Sequence, residues 1–190
     1  MIKQIEEYAK INNVPIMLPD GIDYLCNYIK DNNVKSILEV GTAIGYSAIR
    51  MALVNEDITI TTIERDEDRY NIANQNIKEF KLENRITTIL GDAMDTNITG
   101  EYDLIFIDAS KGHSIDFFNK YKSLLTKDGT IVTDNLSFHG LVEDETLAIT
   151  KNQKGLVKRI KKFIDFLDTN EEFNTTYINI GDKISISKRK

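Results

Sequence analysis

The chain has 190 residues, of which 41% are hydrophobic and 28% charged, and this suits one soluble globular domain over 1–190 with a sizeable core. No apolar run approaches the roughly 20 residues needed to cross a bilayer, and the start, Met1-Ile2-Lys3-Gln4-Ile5-Glu6-Glu7, has no apolar signal core, so neither a membrane partner nor export is expected. The single cysteine, Cys26, closes no internal disulfide and fits a reducing, cytoplasmic setting, while the net charge of −6 weighs against a nucleic-acid partner unless cations are concentrated locally.

Ile22, Leu25, Cys26 and Ile29 share one face of the first long helix, which makes Cys26 a core residue and not a nucleophile. Ser36–Val40 reads as a short buried strand, followed by a glycine loop and a helix over 46–54. Residues 58–64, rich in β-branched side chains, form the next strand. Asp66 then caps a helix that carries Ile72, Ala73, Ile77 and Phe80 on one face. A third strand over 85–90 ends at Gly91-Asp92. The fourth and fifth, 103–108 and 129–134, flank a helix bearing Phe117, Phe118, Tyr121, Leu124 and Leu125.

A loop to about residue 150 leads into an amphipathic helix whose apolar stripe is Leu156, Ile160, Phe163, Ile164 and Leu167. Opposite the stripe lie Lys151, Lys154, Lys158, Arg159, Lys161 and Lys162, with no acid among them. Segments 175–180 and 183–187, joined by Gly181-Asp182, read as a hairpin with a two-residue turn. Repeated strand–helix units predict an α/β fold: a mostly parallel seven-stranded sheet with helices on both faces and an antiparallel C-terminal hairpin strand at or near one edge.

Two strands run straight into oxygen donors, Leu104-Ile105-Phe106-Ile107-Asp108 and Thr130-Ile131-Val132-Thr133-Asp134-Asn135. Carboxyl ends of parallel strands face the crevice where open α/β sheets bind ligands. Asp108, Asp134 and Asn135 are hard donors that suit Mg²⁺ (or Mn²⁺) better than Zn²⁺. The loop Glu39-Val40-Gly41-Thr42-Ala43-Ile44-Gly45 differs from a dinucleotide motif, because Ala43 stands in place of the middle glycine and Glu39 would repel a pyrophosphate. Glu39 can instead accept bonds from a cationic or amine-bearing ligand. Glu64 ends the second strand, where ribose hydroxyls are held in this architecture. Asp92, beside Ala93 and Met94, is placed to reach an adenine amine. Lys111, three residues past Asp108, is a candidate general base where burial and a nearby cation depress its pKa. His113 and His139 each follow a ligand-bearing strand end, a place from which either can line the acceptor pocket, but they lack zinc-like spacing and read rather as polar loop residues.

On these motifs the chain resembles the class I S-adenosylmethionine-dependent methyltransferases, in particular the small metal-dependent O-methyltransferases that include catechol and caffeoyl-coenzyme A enzymes. The stretches that carry the likeness are Glu39 to Ser47, Gly91-Asp92-Ala93, Phe106-Ile107-Asp108-Ala109-Ser110-Lys111-Gly112 and Thr133-Asp134-Asn135. The resemblance implies a Rossmann-like class I methyltransferase fold. It implies cofactor contacts from Ile16, Met17, Glu39, Gly41, Thr42, Gly45, Tyr46, Ser47, Glu64, Arg65, Asp92, Ala93 and Asp108. It also implies metal ligation by Asp108, Asp134 and Asn135, and catalysis by Lys111 and Asp108.

Finer likeness, in Pro15 to Gly21, in Lys111-Gly112-His113 before Phe117-Phe118 and in Asp134 to Gly140, is to the bacterial branch that methylates 5-hydroxyuridine at the tRNA wobble position. The 5-hydroxyl and 4-carbonyl oxygens of that base are vicinal and chelate a metal as a catechol does, and a wobble base splays from its loop without melting a duplex. The run Lys151 to Lys162 would then meet anticodon phosphates. A small catechol-like phenol is the alternative acceptor. The likeness also implies a homodimer, and the chain begins close to the second helix of the family pattern, which bears on dimer geometry and acceptor choice more than on the cofactor.

Overall fold

The computed structural model describes residues 1–109 and 112–190. Its elements run α1 (Ile2–Asn12), α2 (Pro19–Asp31), β1 (Ser36–Val40), α3 (Tyr46–Ala52), β2 (Thr59–Glu64), α4 (Glu67–Glu79), β3 (Ile86–Leu90), β4 (Tyr102–Ile107), α5 (Ser114–Tyr121), β5 (Leu125–Thr133), α6 (Lys151–Asp168), β6 (Phe173–Ile178) and β7 (Ile184–Arg189). The seven strands form one sheet in the order β3-β2-β1-β4-β5-β7-β6. β1 to β5 pair in parallel, and β7 lies antiparallel between β5 and β6. The order reverses between β1 and β4, which opens a crevice at their carboxyl ends.

Alternation along the strands divides the core. Ile37, Leu104, Phe106, Val132 and Ile184 pack against α1 to α4, whereas Leu38, Val40, Ile105, Ile107 and Ile131 pack against α5 and α6. Fully burying each such side chain contributes about 1.5–3 kcal/mol. Local signals agree with the packing: Asp66 accepts from the Arg69 N–H at the start of α4 (3.0 Å), and Thr150 with Gln153 forms a reciprocal capping box on α6. Among the described residues no helix is long and apolar enough to cross a membrane.

Three expectations need correction. The helix that carries Phe117, Phe118 and Tyr121 stops at Tyr121, a 3₁₀ turn covers Lys122–Leu124, and Leu125 opens β5 by pairing with Tyr102. The apolar pair Leu124-Leu125 extends the helical period in sequence, but the tertiary ladder decides its state. The C-terminal hairpin is joined by five residues, 179–183, not by a two-residue turn. That loop is drawn onto α2: the Gly181 N–H donates to Asp20 (3.2 Å), and a Cβ at Gly181 would lie 3.1 Å from the Gly21 Cα. A helix, α1, also precedes the first one expected, and it docks on α3 through the Tyr46 hydroxyl, which donates to Glu6 (2.8 Å).

Candidate active site

Register makes the site. Val40 pairs with Ile63 and Ile107, Glu64 with Leu90, and Ile107 with Thr133, so the strands end level along one edge. Glu64 closes β2, and the residues next after β3, β4 and β5 are Gly91-Asp92, Asp108 and Asp134-Asn135. A cavity of about 590 Å³ opens there. Its floor is the Gly41–Ala43 loop, one wall carries Glu64, Arg65, Arg69, Asp92 and Ala93, and Pro15 to Leu18 also line it. The other end is walled by Asp108, His113, Phe117, Asn135, Phe138, His139, Leu156 and Asp182.

Gly41 has φ +106°, and a Cβ there would stand 2.6 Å from the Asp108 carbonyl oxygen, so only glycine lets this loop close against the end of β4. Ala43 holds a left-handed φ of 46°, which costs about 1–2 kcal/mol for a residue with a Cβ. Its N–H donates to Glu64 Oε2 (2.8 Å), while Glu64 Oε1 accepts from the N–H groups of Arg65 and Asp66, both at 2.9 Å. Glu64 therefore locks the loop and keeps lone pairs for ligand hydroxyls. Asp92 accepts from the Met94 N–H (2.8 Å), and Ala93 is held by Tyr121 and Lys120, which both donate to its carbonyl.

Of the residues expected at the cofactor, Ile16, Met17, Gly41, Thr42, Tyr46, Ser47, Glu64, Arg65, Asp92, Ala93 and Asp108 line this cavity. Glu39 and Gly45 are not among its lining residues. Gly45 starts α3 with φ +83° and packs on Ala73. Glu39 is wholly buried, with one oxygen accepting from Ser47 and the other from Thr62, both at 2.5 Å. Because Thr62 donates to Glu39, Thr42 must donate to Thr62 (2.6 Å), so one hydroxyl chain ties loop, β1, β2 and α3 together. The Tyr46 phenol is committed to Glu6, and burial, with help from Glu6, pushes its pKa up to about 12.

Burial pushes the Glu39 carboxyl up to about 7; the Ser47 and Thr62 hydroxyls oppose the rise, and the Asp108 and Glu64 carboxylates add to it. The folded chain thus holds this proton to a higher pH than the unfolded chain. Glu39's contribution is fully present below about pH 4.5 and is lost as pH rises through 7. In ligand-free protein, Glu39→Gln keeps one acceptor and one donor for the two hydroxyls and removes the titration. Denaturant titrations are expected to show its stability advantage over wild type widening by about 3 kcal/mol between pH 4 and pH 8. A difference independent of pH would refute this.

Of the residues expected to hold a cation, Asp108 and Asn135 line the cavity, and Asp134 is not among its lining residues. Asp108 and Asp134 each follow residues paired in register, so ordinary strand spacing puts their Cα atoms about 5 Å apart. Asp134 is buried, 2% exposed, and Asn135 lines the cavity with φ 63°. No three His, Cys, Asp or Glu side chains cluster for a metal among the described residues, which leaves two carboxylates and one amide. That set fits Mg²⁺, which takes one or two carboxylates and keeps several waters, and does not fit Zn²⁺. Lys111 lies outside the described residues. Of the two readings open to His113 and His139, polar loop residue or pocket lining, the structure favours the second, since both reach the cavity wall. Asp182, a turn residue by its sequence, is 3% exposed and lines the cavity; nothing local in Gly181-Asp182-Lys183 signals this.

A parallel sheet with this switch point, a glycine loop preceded by an acid and ribose-type acceptors at β2 and β3 define a class I methyltransferase, dependent on S-adenosylmethionine. The family model described as O-methyltransferase matches residues 1–190, and the chain belongs to that family. It is 28% identical to the caffeoyl-CoA O-methyltransferase of Stellaria longipes over 85% of this chain and 70% of that one. With the tapetum-specific methyltransferase 1 of Arabidopsis thaliana it shares 26% identity over 97% and 82% of the two chains. Among solved structures, a Staphylococcus aureus protein provisionally assigned as a caffeoyl-CoA O-methyltransferase superposes with a TM-score of 0.95 at 38% identity, over 100% of this chain and 92% of that one. A Bacillus cereus O-methyltransferase, solved with S-adenosylhomocysteine, shares the fold with a TM-score of 0.85 at 24% identity, over 100% and 90% of the chains.

Proposed function

We propose that this enzyme transfers a methyl group from S-adenosylmethionine to the 5-hydroxyl of 5-hydroxyuridine at the tRNA wobble position, giving 5-methoxyuridine, with a divalent cation chelating the acceptor. The observation that carries the choice of acceptor is the place of α6. Leu156 of this helix forms part of the cavity wall, and Arg159 stands one turn further along. Lys151, Lys154, Lys158, Arg159 and Lys162 are exposed, and among the described residues Lys161 is the one cation of this helix in an ion pair, with Glu145. A cationic helix at the acceptor mouth suits an anionic polymer whose reacting base enters the cavity while its phosphates stay outside.

In this reading Glu64 holds the ribose hydroxyls, Asp92 and Ala93 receive the adenine, Ile16 and Met17 exclude water from above, and Thr42 and Ser47 face the methionine end. Glu39 acts from behind the wall by fixing Ser47. Asp108, Asp134 and Asn135 would hold Mg²⁺ or Mn²⁺, which when bound lowers the acceptor's pKa and fixes two vicinal oxygens. The acceptor oxygen would form its bond to the sulfonium methyl in line as the carbon–sulfur bond breaks and S-adenosylhomocysteine leaves, and Lys111, held neutral, would take the hydroxyl proton. Holding the two reactants in near-attack geometry supplies several kcal/mol of the barrier reduction.

The plant relatives favour a second reading, a small catechol-like phenol, because the names they carry are those of caffeoyl-CoA and flavonoid methyltransferases. Methylation assays on tRNA carrying 5-hydroxyuridine and on catechol, each with Mg²⁺ and with a chelator, separate the two. Rapid catechol turnover with no tRNA product would refute the tRNA assignment. Charge reversal of Lys158 and Arg159 together is expected to raise the KM for tRNA about tenfold and to lower the slope of log affinity against log salt by about 2. Catechol kinetics should not change.

A further inference from the structure

The loop after β5 is bolted to the β6–β7 loop at Asp182. The Ser137 N–H donates to the Asp182 carbonyl (2.9 Å), and the Leu136 N–H donates to that of Lys183 (3.0 Å). Asp182 Oδ1 accepts from the His139 N–H (2.6 Å), and Oδ2 accepts from Asn135 Nδ2 (3.3 Å). Asn135, Phe138, His139 and Lys183 all have positive φ, a concentration of left-handed residues that persists only where the surroundings hold it.

An asparagine amide is a donor at one end and an acceptor at the other, and packing alone hardly distinguishes the two. A buried carboxylate on one side does distinguish them. With Nδ2 turned to Asp182, the Asn135 carbonyl oxygen is turned away from it. We infer that Asp182 is a positioning residue: it orients the Asn135 amide so that oxygen, not the NH₂ group, is offered to the cation, and so sets divalent-metal affinity without being a ligand itself. This inference rests on the metal reading given above.

Asp182→Asn is nearly isosteric and tests it. Its Oδ1 still accepts from His139, but its own NH₂ now faces Asn135, whose amide must turn over and aim its NH₂ at the cation. Calorimetric titration with Mn²⁺ in the absence of acceptor is expected to show affinity reduced 10- to 100-fold, with S-adenosylhomocysteine affinity and thermal midpoint near wild type. The double variant Asp182→Asn, Asn135→Asp has an oxygen at both ends of residue 135 and should recover Mn²⁺ affinity, a rescue that a merely structural role would not give. Mn²⁺ affinity within twofold of wild type in folded Asp182→Asn would overturn the positioning role alone. Wild-type protein that binds no Mn²⁺ would overturn the metal reading as well. Should Asp182→Asn not fold, anomalous scattering from Mn²⁺ in wild-type crystals decides: an ion on the Asn135 oxygen supports the inference, and an ion bound directly by Asp182 overturns it.

Discussion

Asp134→Ala is expected to slow methyl transfer on the order of a thousandfold, about 4 kcal/mol, while leaving the Kd for S-adenosylhomocysteine within about twofold. The separation follows from geometry. Asp134 follows β5 and is buried next in sequence to Asn135, which lines the acceptor end, whereas Glu64, Arg65 and Asp92 line the opposite wall. Of the three oxygen donors it is the one carboxylate with no proposed contact to the cofactor, since Asp108 borders both halves. Single-turnover rates measured against Mg²⁺ concentration, with product-binding calorimetry alongside, check both parts. Equal loss of rate and of product affinity would show that Asp134 supports the whole cavity and not the cation alone.

Glu64→Gln is expected to weaken S-adenosylhomocysteine binding about 50- to 100-fold, or about 2.5 kcal/mol, and to lower the melting temperature. The carboxylate occupies an acceptor-only position: three backbone N–H groups, from Ala43, Arg65 and Asp66, converge on its two oxygens. A glutamine must turn its NH₂ toward one of those donors in either orientation, leaving a partly buried N–H unsatisfied at a cost of about 1–3 kcal/mol. The Ala43 bond is the vulnerable one, because it holds a left-handed alanine in the floor of the cavity. Calorimetry on the purified variant measures the effect. Unchanged affinity would mean that neither loop locking nor ribose contact depends on the charge.

Much of the fold is legible in the sequence, for physical reasons that differ between elements. The parallel strands are short β-branched runs with an acid at or just past the end, and α4 and α6 carry their own N-caps at Asp66 and Thr150. Legibility fails where partners distant in sequence decide. Leu125 is a strand residue because Tyr102 pairs with it, and Asp182 is buried because its loop is held to Asp20 and Gly21, about 160 positions earlier. Glu39 shows a subtler failure. Its charge and place before the glycines mark it as important, but only the fold brings Ser47 and Thr62 against it, and they occupy it from the protein side. The proposed metal donors stand out in the sequence because a run of apolar residues ending in Asp-Asn has few purely structural uses at a strand end.

The proposed acceptor is tested most directly in the organism that encodes this chain. Nucleoside mass spectrometry of tRNA from a strain lacking the gene is expected to show 5-methoxyuridine lost and 5-hydroxyuridine accumulated in its place, with wild-type but not Asp134→Ala protein restoring the methylated base. Undiminished 5-methoxyuridine in the deletion strain would contradict the tRNA assignment and return the cavity to a small phenolic acceptor.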